Sequence, residues 1–243
     1  MSGQRYVSDE LTHFVGRHLA GDEARYGLLV EILRTGTLAP HEPGAAGDVA
    51  IDLSAPVSSN RAYEPEMVCF SDIPVGDLDL HIRKYTPFGL AFQKPLLVAR
   101  GATPVFYVAA AAPTQLREGE GARVATRAEA LDRAAALLHR LRAESQARRG
   151  KAAPADARLL ADVDDLARLL DFEVFSYLKF FEYPLDDADP SNFYMEREWR
   201  LLGELRFGLG DVRRVVLPEA YAARLRADVP GYAGQVTFGG HGA

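Results

Sequence analysis

Apolar positions recur at three- and four-residue spacing through Tyr26, Leu29, Val30 and Leu33, predicting a helix over Glu23–Arg34 that opens at Gly21-Asp22 and stops at Gly36. Before it, Leu11–Arg17 is a short β-prone run with His13 in its middle. Glu66–Pro74 reads as a second strand, Val75–Lys84 as a short helix carrying His81 up to Tyr85, and Pro87–Phe92 as a third strand. A helical turn at Pro95–Arg100 leads into Val105–Ala109, a fourth and buried strand. From Thr126 to about Arg149, and from Ala155 to about Glu182, the pattern is that of two long helices separated by a Gly150–Pro154 loop. The second ends in Phe172, Phe175, Tyr177, Phe180, Phe181 and Tyr183, an aromatic segment that must dock on something. Phe193–Leu205 and Val212–Leu217 then read as strands, Pro218–Asp228 as a helix and Gly234–Phe238 as a last strand. Strands first, helices in the middle and strands last describe an α+β fold with a mixed, mostly antiparallel sheet built from both ends of the chain. The expected organisation is a single domain over 1–243, its core at 8–110 and 190–240 and its helical insert at about 126–183.

The Phe193–Leu205 run departs from this pattern by placing charges inside an otherwise buried strand. Read with period two, Tyr194, Glu196, Glu198 and Arg200 point one way, while Met195, Arg197, Trp199 and Leu201 point the other. Such a face is either a solvated edge or the floor of a polar cleft. Glu198, backed by the chain's only Trp, is the carboxylate on which a cleft would centre.

Composition narrows the function classes. The chain has 243 residues, is 48% hydrophobic and carries a net charge of −6, so nucleic-acid binding requires a local basic patch rather than the whole surface. One cysteine, Cys69, excludes an intramolecular disulfide and a multi-cysteine zinc site; with no evident leader, that favours the cytoplasm. No apolar run is long enough to span a bilayer, and no GxGxxG, Walker, HExxH or GxSxG motif is present. Residues 40–66, rich in proline and glycine, read as a long surface loop. The acidic turn Asp186–Pro190 lacks the glycine of a calcium loop, and no metal is expected there.

Taken singly, the marked residues have ordinary readings beside the chemical ones. His13 in a strand is a satisfied core or edge residue unless its neighbour Arg17 recruits it for a ligand. Arg61 is a solvated loop cation or an anion clamp, since guanidinium is suited to diphosphate. Cys69 is packing, and His81 with Tyr85 shares a helix face.

Together, several runs resemble the AbiGi family of bacterial abortive-infection proteins, known as antitoxins of phage-resistance systems. They are Leu11–Arg17, Leu29–Leu38, Val68–Pro74, His81–Leu90, Ala102–Tyr107 and Glu196–Arg200, and the resemblance covers roughly residues 8–110 and 190–240. A more distant resemblance is to DarT-like ADP-ribosyltransferases, which use NAD to modify DNA. It rests on the order of a histidine strand, a helix ending Ile-Leu-x-x-Gly-x-Leu, an aromatic strand, an insert and a late glutamate strand. This resemblance implies that His13 binds NAD, that Arg61 assists, and that Glu198 is the catalytic carboxylate stabilising a cation-like ribose. Aromatic residues Phe14, Phe70 or Tyr85, with Arg17, complete the implied cofactor site, and the acceptor would be a nucleic acid or a protein. The alternative, implied by the first resemblance, is a non-catalytic antitoxin that neutralises a partner toxin through its helical insert. A third outcome is a surface ion-pair ladder at Glu196, Glu198 and Arg200. The readings part on whether His13 and Glu198 line one cleft.

Overall fold

The computed structural model describes residues 8–40, 49–148, 153–186, 189 and 192–239. The Gly150–Pro154 connection, the Asp186–Pro190 turn and residues 41–48 of the expected loop lie wholly or largely outside them. The chain divides into two compact units, one of Met1–Gly47, Glu66–Pro104 and Tyr194–Ala243, the other of Asp48–Pro65 and Val105–Phe193.

The first unit is α+β. Among the described residues, seven strands form its sheet in the order Gln235–Phe238, Val212–Leu217, Gly89–Gln93, Glu10–Phe14, Met67–Ser71, Glu198–Leu202, Thr103–Pro104. Every pairing is antiparallel except that of the first two, so the mixed, mostly antiparallel sheet drawn from both chain ends is as expected. One face buries Leu11, Phe70, Leu90, Phe92, Leu201, Val215 and Leu217 against the Asp22–Thr35 helix, which supplies Tyr26, Leu29, Val30 and Leu33. Gly36 ends that helix at φ 64°, in the left-handed region where a side chain is strained. The other face packs Phe14 and Val216 against Ile73, Leu78 and Ile82, around the short Leu78–Lys84 helix.

Two local expectations change here. The Phe193–Leu205 strand is in fact a 3-10 turn over Phe193–Glu196, a kink at Arg197 with φ 45°, and a strand only from Glu198 to Leu202. Period two therefore holds for Glu198 and Arg200 against Trp199 and Leu201, but does not extend to Tyr194. The strand lies between Met67–Ser71 and Thr103–Pro104, so it is not an edge.

The second unit is built on the helices Arg127–Arg148 and Pro154–Glu173. They run antiparallel, since Ser145 Oγ donates to the Leu160 carbonyl while Arg142, nearer the start of its helix, reaches the later Asp164 and Asp171. The second helix is shorter than expected. After Glu173 the chain turns through Phe175–Tyr177 into a strand, Leu178–Phe181, parallel to Phe106–Ala109. Helical spacing and strand alternation are hard to distinguish in an aromatic run, and strand pairing decides it. A hairpin of Pro113–Glu118 with Gly121–Thr126, polar along much of its length, also escapes the sequence pattern. Among the described residues no helix is long and apolar enough to cross a membrane.

Candidate functional site

Sheet register decides which candidate residues meet. Thr12 pairs with Ser71 on one side and Glu198 pairs with the same Ser71 on the other. Directly paired residues in an antiparallel sheet share a face, so Thr12, Ser71 and Glu198 form one row. His13 alternates with Thr12 and falls on the opposite face with Leu90, Phe70 and Trp199. The expectation that His13 and Glu198 line one cleft is therefore not met.

On the Glu198 face, the Arg200 guanidinium donates to both carboxylate oxygens, Nε at 2.7 Å from Oε1 and Nη2 at 3.4 Å from Oε2. Both residues are buried, at 6% and 8% exposure, which makes this a desolvated pair and not a surface ladder. Glu196, also buried, takes Lys84 Nζ at 3.1 Å and the Tyr85 hydroxyl. Burial, and after it the Glu196 carboxylate, pushes the Tyr85 phenol well above its ordinary range. The Arg17 guanidinium lies 5.0 Å from the Tyr85 ring centre, and Phe14 stacks on Tyr85 at 5.4 Å and on His81 at 6.2 Å. Phe14, Arg17 and Tyr85 are thus brought together, and the nearby Glu198 carboxylate contributes to raising the phenol.

On the other face, His13 Nδ1 donates to the Cys69 carbonyl at 2.8 Å and its ring meets the edge of Phe70 at 5.9 Å. Burial holds the imidazole below its ordinary value, against the smaller opposing effect of that carbonyl. Phe70 is 1% exposed and wedged between His13 and Phe92, so it has no free ring face for stacking on a nicotinamide. Arg61 belongs to the other unit, is exposed, and follows Asn60, which holds a left-handed φ of 58°.

Sequence reading missed two polar constellations. Asp72 accepts from the Ser8 amide at 3.3 Å and from Lys94 Nζ at 3.0 Å, with Arg197 Nη2 at 3.7 Å. In the second unit the Tyr63 hydroxyl donates to Asp171 at 2.8 Å and accepts from His139 at 2.7 Å, while Arg142 joins Asp171 to Asp164 at 3.2 and 3.0 Å. A signal for the second existed: Asp164 and Asp171 lie two turns apart on one helix face, as do His139 and Arg142 one turn apart on the other helix.

The two helices also expose Leu137, Leu141, Leu159, Leu166 and Leu169, each between 37% and 64%. At about 100° per residue, Leu137 and Leu141 flank the buried line Ala135–Leu138–Arg142–Ser145 on one side. Leu159 and Leu166 flank Asp164–Ala167–Asp171 with the same offset, and antiparallel packing turns both sets to one face of the pair. The aromatic run expected to dock on something does so within this unit, where Phe175, Tyr177 and Phe180 are buried, and Tyr183 alone of that run is strongly exposed, so it adds no patch of its own.

Residues 57–227 match the family model of the AbiGi abortive phage resistance proteins, described as antitoxins. That is more than two thirds of the chain. The chain belongs to the AbiGi family. The matched range includes both long helices, which lie outside the stretches that carried the sequence resemblance, and it begins after His13, Phe14 and Arg17. No curated protein and no solved structure matches the chain.

Proposed function

We propose that this AbiGi protein is the antitoxin of an abortive-infection pair and that it binds a protein toxin through the leucine face of its two long helices. The observation that carries the reading is the row of leucines exposed on one side of a helical pair whose inner side is fixed by a buried polar network. Contiguous apolar surface of this kind marks an interaction site, and paired helices present it to an apolar groove or helix of the partner. Exposed Asp162, on the helix face between Leu159 and Leu166, selects a partner with a basic residue at the margin of that groove. The family match supports the reading because it spans both helices. ADP-ribose transfer from NAD has less behind it, since the two residues it most needs, His13 and Glu198, stand on opposite sheet faces.

The test is a growth assay in bacteria expressing each gene that flanks this one and arrests growth on its own, with wild type, the double variant Leu159→Lys and Leu166→Lys, or Glu198→Gln supplied in trans, and with NAD consumption followed on the purified proteins. Wild type and Glu198→Gln should restore growth while the folded leucine variant does not. Full rescue by the leucine variant, or NAD turnover by wild type that Glu198→Gln abolishes, would overturn the proposal.

A further inference from the structure

The leucine face of the helical unit is edged by charges of opposite sign. At about 100° per residue, exposed Arg140 lies beyond Leu137 and Leu141 on the outer side of the Arg127–Arg148 helix. Exposed Asp162 and Glu173 lie beyond Leu159 and Leu166 on the outer side of the Pro154–Glu173 helix. The acids on the first helix's outer side are already engaged, Glu144 with Arg148 at 4.0 Å and Glu129 with the Thr126 amide at 2.9 Å and Arg123 at 3.5 Å. Arg158 and Arg168 lie further round the second helix, away from its leucines. The stagger of the pair is fixed by its inner contacts. His139 stands beside Asp171 at 3.6 Å and Gln146 beside Asp164 at 3.1 Å, so Arg148 is level with Asp162, and Arg140 and Leu141 lie within a turn of Glu173 and Leu166.

We infer that, in the absence of toxin, a second copy of the chain covers this face, the two helical pairs stacking leucine to leucine as an antiparallel four-helix bundle. The inference rests on the reading of that face as the partner-binding surface and gives it a regulation, because toxin and second copy compete for the same leucines. The charges choose the geometry. A two-fold axis running along the helices sets the first helix of each copy over the second helix of the other, so that neighbouring helices are antiparallel throughout and their dipoles oppose. Such an axis preserves level along the bundle. Arg140 of each copy then meets Glu173 of the other, Arg148 meets Asp162, and Leu141 packs beside Leu166. An axis running across the helices would instead stack the first helix on itself and set the Arg140 margins together. The fold of each copy is complete without the bundle, since Arg142, Asp164 and Asp171 fix the inner side of the pair. The bundle adds stability in proportion to protein concentration, so folding comparisons among leucine variants belong at dilution, where the copies are separate.

The experiment is sedimentation equilibrium of the full chain purified without toxin, for wild type, Arg140→Glu, Glu173→Arg and an equimolar mixture of the two variants, with circular dichroism to verify that each variant folds. Wild type should be a dimer at micromolar concentration. Each reversal brings like charges together at both symmetric contacts and should weaken dimerisation by about tenfold or more. In the mixture both contacts regain opposite charges, and dimerisation should return to within about threefold of wild type. Adding the growth-arresting product of a flanking gene should convert the dimer to a complex with one copy of each chain. A monomeric wild type would overturn the inference and leave the growth assay to judge the toxin surface separately. So would a dimer that neither reversal weakens, a mixture no tighter than its components, or a toxin complex that keeps the two copies joined.

Discussion

His13 and Glu198 stand on opposite faces of one sheet because Thr12, the neighbour of His13, and Glu198 itself both pair with Ser71 on the strand between them. A slip of one residue in either pairing would have put them together. Instead His13 joins the apolar layer under the Asp22–Thr35 helix, and Glu198 closes on Arg200 in the polar layer beneath Phe14 and Tyr85.

The Glu198–Arg200 pair should behave as a buried ion pair. Arg200→Ala leaves a desolvated carboxylate behind and should lower stability by about 3 to 5 kcal/mol in urea denaturation. The double variant Glu198→Gln with Arg200→Met should lose distinctly less. If both lose the same amount, the cost is one of packing and the pairing argument fails.

Gly36→Ala tests the helix terminus. Position 36 has a left-handed φ, its carbonyl accepts the Phe207 amide at 2.8 Å, and an added methyl would strike the Phe207 carbonyl oxygen. A loss of about 2 kcal/mol or more is expected from strain and displacement together. A thermal midpoint equal to that of wild type would refute it.

In the helical unit, Tyr63→Phe removes the hydroxyl shared by His139 and Asp171 while preserving ring packing against Phe175. Asp171 keeps Arg142, so the expected cost is about 1 to 2 kcal/mol. Asp171→Asn, which leaves Arg142 and Tyr63 mismatched, should cost more; the reverse order by chemical denaturation would mean the network is organised differently.

Stability should fall on acidification through the histidines. His13 and His81 are both held below the ordinary imidazole value by burial, so between their folded pKa values and about 6.5 the unfolded chain binds more protons than the folded one. Their contribution is complete above about pH 6.5 and is lost as pH drops through the folded values. For His81 the Glu196 charge opposes the effect and Lys84 adds to it. Wild type should be more stable at pH 7.5 than at pH 5.5, and His13→Gln with His81→Gln should flatten the difference. An unchanged slope in that double variant would rule out these two groups.

Leu159→Lys with Leu166→Lys should change folding stability by less than about 1 kcal/mol, since both side chains already face solvent and lysine is a good helix former. Large destabilisation would mean the leucines are structural, and the surface reading would fall with it.

The amino-acid sequence by itself determined the class of fold, because amphipathic spacing at Tyr26–Leu33, the stop at Gly36 and the alternation of Trp199 and Leu201 with Glu198 and Arg200 are local consequences of backbone period. It marked Phe14, Arg17, Tyr85 and Glu198, which share one face, and it placed the two long helices between the sheet segments. What only the tertiary structure decided is everything that depends on pairing over long chain separations. The aromatic run after Glu173 became a strand because Phe106–Ala109 was available to pair with it. Arg197 broke the expected strand by taking a φ of 45° after the 3-10 turn, even though its carbonyl still accepts the Asp72 amide in the register of the strand pair, and no neighbouring residue announces that turn. His13 and Glu198 were separated by a register in which one residue of offset exchanges the faces, and nothing local to either residue specifies that offset.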